Sequence, residues 1–374
     1  MTGIDFEAEG LLDGLDGKAR QARLALLKEL SDADVPLEEL KRAVEENRLV
    51  LLPVERVFDS GEERYTAAEI AKGAELERDF LLRLLQALGA PIPADDERVY
   101  TEHDLEAAKR AKLFLDAGLP EQGVLDTSRL IGISMANLAD ANRDMVGEAF
   151  TEPGIDEREL ALRYAAAAKT MAPILGDTLL HAHRIHLREA IRQAVISEAE
   201  LAEGRLSGTD EITIAFADLV GFTRLGESLE IEQIGRLTGR LFELASDAAR
   251  PPVRLVKMIG DAAMFASREP LALVESVMGL VDAAGSDEIP SLRAGVATGQ
   301  ALGRGGDWYG RPVNLAARIT SFARPDSVVV AQAVREALES ADGDRFSFSF
   351  AGKHRFKGIS GETAVHRVRS AEGE

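Results

Sequence analysis

The spacing of apolar residues changes once along this chain, near residue 205, and that change excludes a fold built from one kind of element. From about Ala19 to Leu201 apolar side chains recur every three or four residues. Segments such as Ala22–Leu30, Leu37–Glu45, Ala67–Leu88, Leu105–Ala117 and Glu159–Met171 carry this helical period. Beyond the change, β-rich runs occur at Ile212–Ala217, Val253–Ile259, Leu292–Thr298, Val328–Ala331, Phe346–Phe350 and Thr363–Val368. Helical patterns at Ile231–Ala249, Leu271–Ala284, Val313–Ala323 and Ala331–Leu338 separate them. The order reads βαββαβ followed by a further βαββ, which predicts an all-α front domain and a ferredoxin-like α+β sheet domain behind it. The predicted division is a helical domain over 1–176, a charged connector helix over 177–204 and the sheet domain over 205–374. The connector runs from Asp177 to about Glu203 and is closed by Gly204 and the turn Ser207-Gly208-Thr209.

Within the helical half, Tyr65-Thr66-Ala67-Ala68-Glu69 and Tyr100-Thr101-Glu102-His103-Asp104 each place a threonine three residues before an acid. That spacing predicts two capped helix starts of structural purpose. Pro91 and Pro93 with the run Asp95–Arg98, and later Pro153-Gly154, mark breaks between helical groups.

Composition narrows the chemistry. The 374 residues include no cysteine, so disulfides, Cys-ligated zinc, thiol nucleophiles and Fe–S clusters are excluded together. Carboxylates, histidine, lysine and arginine remain. A formal net charge of −20 disfavours unspecific attraction to phosphate backbones or anionic lipid. The opening Met1-Thr-Gly-Ile-Asp-Phe-Glu has no basic stretch followed by an apolar one, and no run of 18 apolar residues occurs. The expected location is cytoplasmic, with a membrane-peripheral placement kept as a variant.

Three elements of the second half carry reactive groups. The first strand ends in Phe216-Ala217-Asp218-Leu219-Val220-Gly221-Phe222-Thr223, a carboxylate at a strand terminus beside a turn whose backbone N–H groups can hold phosphate. The segment Val256-Lys257-Met258-Ile259-Gly260-Asp261-Ala262 reads as a hairpin with Gly-Asp at its turn, presenting a second carboxylate. Two acids on neighbouring strand ends suit two divalent ions. The third element, Asp307-Trp308-Tyr309-Gly310-Arg311-Pro312-Val313-Asn314-Leu315-Ala316-Ala317-Arg318, sets Asn314 and Arg318 at i,i+4 on one helix face. Singly each is ordinary: acids after strands cap helices and Gly-Asp is a common turn. Their combination is specific.

In this combination and order the chain resembles the class III nucleotidyl cyclases over roughly residues 209–370. The resemblance implies that Asp218 and Asp261 ligate two Mg²⁺ or Mn²⁺ ions and that Lys257 and Asp307 contact the base of the substrate. It implies that Asn314 orients the ribose and Arg318 stabilises charge on the α-phosphate, with Phe222, Thr223 and Lys357 as further substrate contacts. Lys353 is a weaker alternative to Lys357. The reaction implied is ATP to cyclic AMP and pyrophosphate, at a site shared by two catalytic domains facing head to tail. A single such domain carrying both sets of residues implies a homodimer with two composite sites. Adenine offers an acceptor at N1 and an amino donor, matching a lysine donor and an aspartate acceptor. Guanine reverses that polarity, whereas cytosine shares it, so CTP stays open. One departure is Gln300 after Gly299, where many relatives have a basic residue; Arg304 is the nearby substitute.

The front half, with Leu51-Leu52-Pro53-Val54-Glu55 and Ala117-Gly118-Leu119-Pro120, looks like that of the acid-sensing mycobacterial adenylyl cyclases. That resemblance implies an autoinhibitory domain relieved by acid. The connector holds His181, His183 and His186, three of the six histidines, and imidazole changes charge between pH 5 and 8. A hydrophobic or lipid ligand of the front half is a further open expectation. The alternative reading is a degenerate nucleotide-binding regulator, its Tyr65–Gly89 and Tyr100–Gly118 segments resembling a MerR-type DNA reader. Its recognition stretch Ala74-Glu75-Leu76-Glu77-Arg78-Asp79 is net acidic, so no nucleic acid partner is expected.

Overall fold

The computed structural model describes residues 4–58, 64–193, 209–222, 229–285 and 289–371. Contacts divide the chain into two units, Met1–Val195 and Ile196–Glu374. Thr223 and residues 194–204 of the expected connector lie outside the described residues.

The first unit is helical: α1 Gly17–Asp32, α2 Leu37–Glu45, α3 Leu52–Phe58, α4 Ala67–Gly73, α5 Arg78–Leu88, α6 Glu102–Asp116, α7 Glu121–Phe150 and α8 Glu157–Gln193. Both threonine caps form. Thr66 and Thr101 accept from the backbone N–H of Glu69 and Asp104, and those acids accept in return from the cap backbone. Each such cap stabilises its helix by about 1 kcal/mol. The two capped starts are also joined, since Tyr65 and Tyr100 pair as an antiparallel bridge. One core gathers Leu26, Leu27 and Leu30 of α1 with Leu40, Leu49 and Leu52. A second gathers Ile70, Leu81, Leu85 and Tyr100.

The expected boundary at 176/177 falls inside α8, which runs unbroken for 37 residues through Pro173. Its first turn is fastened to α1. Arg23 donates twice to Glu157, at 2.8 and 2.9 Å, and Arg158 donates through Nε to Glu29 at 2.8 Å. Among the described residues no helix is long and apolar enough to cross a membrane.

The second unit is a mixed sheet with helices on both faces. Its elements are β1 Thr209–Leu219, α9 Ile231–Ala248, β2 Arg254–Ile259, β3 Ala262–Ser267, α10 Pro270–Gly285, β4 Leu292–Arg304 and β5 Asp307–Gly310. They continue with α11 Arg311–Phe322, β6 Ser327–Ala331, α12 Gln332–Asp342, β7 Phe346–His354 and β8 Thr363–Ser370. The strand order is β2-β3-β1-β4-β6-β8-β7, with β5 folded back on β4. The first four strands and their two helices form the expected ferredoxin-like βαββαβ core. Among the described strands β4 and β6 are the only neighbours paired in parallel.

Alternation along the strands separates two apolar layers. Ala215, Ala217 and Leu219 of β1 face α9, α10 and α12, joining Leu241, Val277, Leu280 and Leu338. Ile212, Ile214 and Phe216 face the other way, against Leu315, Ala316 and Ile319 of α11. Asp218 is next in that second series, so the parity that buries Phe216 sends Asp218 to the α11 face at the strand end.

Candidate active site

The two aspartates meet because the strand that carries one neighbours the hairpin that carries the other. In the β1–β3 ladder Asp218 stands opposite Ala262, and Leu219 N donates to Asp261 O at 3.1 Å. The β2–β3 hairpin closes through Gly260, whose φ of +60° is left-handed and readily adopted by glycine. Burial pushes the Asp261 carboxyl above its ordinary range; the Asp218 charge pushes the same way, while a backbone hydrogen bond and Arg293 pull it down.

Asp218 has a partner that the sequence motifs do not contain. Arg293 Nε and Nη2 donate to Asp218 Oδ2 at 3.0 and 2.7 Å, from the position directly opposite in β4. Arg293 stands between the apolar Leu292 and Ala294, and the acid it faces is set by the β1–β4 register.

Among the described residues no group of three or more His, Asp or Glu stands ready to hold a metal. The donor set is two hard carboxylates. That fits Mg²⁺ or Mn²⁺, which are commonly held by one or two carboxylates together with substrate phosphates and water. It does not fit a closed structural metal site.

Lys257 and Asp307 are brought together. They form an ion pair between β2 and the start of β5, and Asp307 Oδ1 also accepts from Trp308 N at 2.8 Å. Their side chains are 40% and 23% exposed, so a ligand can reach the pair. A donor and an acceptor fixed side by side match one edge of a base.

Asn314 and Arg318 sit on the outward face of α11, both exposed, opposite its buried Leu315, Ala316, Ile319 and Thr320. Neither has a hydrogen-bonding or ionic partner among the described residues. Lys357 is likewise exposed, in the turn between β7 and β8. Phe222 packs its ring against the layer that holds Leu219, leaving its backbone as the group available to a ligand. His181, His183 and His186 are all exposed on α8.

Fold and motifs define a nucleotide cyclase catalytic unit behind a helical regulatory one. The Adenylate and Guanylate cyclase catalytic domain model matches residues 205–369, and the Adenylate cyclase regulatory domain model matches residues 4–191. A pH-sensitive adenylate cyclase of Mycobacterium tuberculosis is 37% identical over 369 residues, 98% of this chain and 92% of that protein. An adenylate cyclase of Streptomyces griseus is 32% identical, covering 76% of this chain and 71% of its own. The crystal structure of the adenylyl cyclase CyaB from P. aeruginosa covers 43% of this chain and 94% of its own, at 22% identity and a TM-score of 0.38. The chain belongs to the adenylate cyclases and carries both the regulatory and the catalytic domain of that family.

Proposed function

We propose that this adenylate cyclase works as a homodimer with two composite sites, each using Asp218 and Asp261 of one subunit and Lys257, Asp307, Asn314 and Arg318 of the other. The observation that carries the reading is the division within one chain. Asp218 and Asp261 have neighbours in their own unit, while Asn314 and Arg318 on the other side of the site are exposed and, among the described residues, without partners. Groups of the second kind need a surface from elsewhere.

In this reading Lys257 donates to adenine N1 and Asp307 accepts from the amino group. Asn314 holds the ribose so that its 3′-oxygen lies in line with the α-phosphorus. Asp218 and Asp261 hold two divalent ions, which when bound supply Lewis-acid activation of the 3′-hydroxyl and neutralise the triphosphate. The 3′-oxygen forms its bond to the α-phosphorus as the bond to pyrophosphate breaks, and the hydroxyl proton leaves to solvent. Arg318 faces the charge that grows on the α-phosphate, and Lys357 and the backbone near Phe222 and Thr223 receive the phosphates.

The test mixes two inactive chains. Asp218→Ala and Arg318→Ala each lose turnover. Their equal mixture recovers about a quarter of wild-type activity, because random exchange makes about half heterodimers with one intact site in two. A mixture that exchanges subunits yet stays inactive overturns the shared site.

Acid regulation is proposed by likeness to the pH-sensitive relative. Its seat is the helical unit, where α8 exposes His181, His183 and His186. The non-enzymatic, DNA-reading alternative has no observation in its favour: the helices it drew on lie within the regulatory-domain match.

A further inference from the structure

Arg293 lies outside every motif, yet it is the residue through which two parts of the site touch. It stands opposite Asp218 in the β1–β4 ladder, so both side chains leave the sheet on the α11 face. Nε and Nη2 converge on Asp218 Oδ2, at 3.0 and 2.7 Å. Nη1 donates in the other direction, to Ser321 O in the last turn of α11 at 3.3 Å. One planar guanidinium thus spans a strand-end carboxylate and a helix. Neither of its bonds to Asp218 falls on Oδ1.

The helix it reaches is held against the same two strands by other means. Thr320 Oγ1 donates to Phe216 O at 3.2 Å, two residues before Asp218. On β4, Gly295 lets the α11 backbone come so close that a Cβ there would lie 2.2 Å from Thr320 N and 2.7 Å from Ala316 O. Asp218, Arg293 and α11 therefore form one block, with the guanidinium at its exposed end.

We propose that Arg293 is a positioning residue of the cyclase site: it fixes the Asp218 carboxylate with Oδ1 left for a divalent cation and ties it to the helix bearing Asn314 and Arg318. The proposal rests on the reading of Asp218 and Asp261 as the metal-holding carboxylates. In the homodimer, Asp218 serves one composite site and α11 of the same chain serves the other, so Arg293 joins the two sites within a subunit. The fork geometry carries this role. A lysine keeps the charge but cannot reach both elements with a planar set of donors.

The experiment uses the full chain and Mn²⁺ alone, with free Mn²⁺ followed by electron paramagnetic resonance and folding followed by the thermal midpoint. Asp218→Ala is expected to remove Mn²⁺ binding. Arg293→Gln is expected to weaken it about 10–100-fold, as loss of a partner that orients a metal ligand does. Arg293→Lys is expected to keep the midpoint near wild type yet still bind Mn²⁺ about tenfold or more weakly. Wild-type Mn²⁺ affinity in Arg293→Lys overturns the positioning role even if Arg293→Gln fails to fold. Wild-type affinity in Asp218→Ala overturns instead the metal reading beneath it.

Discussion

The strand ends and the outward face of α11 hold the groups assigned to one proposed reaction, and the protein treats them in opposite ways. At the strand ends the charged groups touch one another: Asp218 pairs with Arg293 and Lys257 with Asp307, while Asp261 lies close enough to Asp218 to be repelled by its charge. On α11 the amide and guanidinium stand exposed and unengaged. The first region is organised by its own fold. The second is organised in position but not in contact, because only the buried side of α11 is held. On the proposed composite site the contrast teaches that preorganisation and completeness are separable: a subunit that holds every reactive group in place would still need a second one to complete a site.

The sharpest way to break that contrast is to remove one member of each region. Arg318→Ala is expected to lower kcat by about 100–1000-fold, the scale for losing a group that faces transition-state charge. It should leave the thermal midpoint unchanged, since Arg318 is exposed and has no partner among the described residues. Asp218→Ala should abolish turnover and also lower the midpoint, because Arg293 loses its acceptor while part-buried. Equal midpoints for the two variants would erase the distinction between the two regions.

A smaller perturbation acts on the seam between the regions. Gly295→Ala introduces a methyl where helix backbone already stands, an overpacking expected to destabilise by about 1–3 kcal/mol and to lower kcat by shifting α11. Calorimetry and steady-state rates on one preparation check both effects.

Histidines offer the finest comparison, buried against exposed. His366 is 3% exposed on β8; its Nε2 lies 2.6 Å from Gln332 Oε1 and its Nδ1 3.3 Å from Arg335 Nη1. Burial pushes its pKa below the ordinary imidazole value; Arg335 lowers it further, while Glu339 raises it in part. The unfolded chain therefore takes up a proton first as pH falls through about 6.5, and stability declines with acidification. His366→Gln is expected to flatten the thermal midpoint between pH 7 and 5 relative to wild type; an unchanged slope excludes His366 as its source. Replacing His181, His183 and His186 together by Gln should leave that stability slope intact while flattening the pH response of turnover. A retained response places the sensor away from these three histidines.

Much of this architecture is legible in the sequence for plain reasons. Strand and helix periods differ, so the change near residue 205, the core strands and the two threonine caps can be read directly. The motif aspartates, Lys257 and α11 follow from residue order. What escapes is set by contacts. Strand β5 is only four residues, Asp307–Gly310, and has no periodicity of its own; it exists because β4 extends to Arg304 and offers a ladder. The expected start of the connector at Asp177 marks no element boundary, because the helical pattern already runs from Glu157 and the charged stretch merely continues it. Arg293 escapes because one arginine in a strand names no partner until the facing strand is in register.

The unbroken course of α8 has a mechanical meaning. At 1.5 Å per residue its 37 residues make a rod about 55 Å long, clasped to α1 by two arginine–carboxylate pairs at one end. A pivot of about 5° at the clasp sweeps the far end, at Gln193, through about 5 Å, roughly one helical turn. Two ion pairs at the fulcrum are thus in a position to set the travel of the rod's tip, and a small loss of grip there is amplified by length alone.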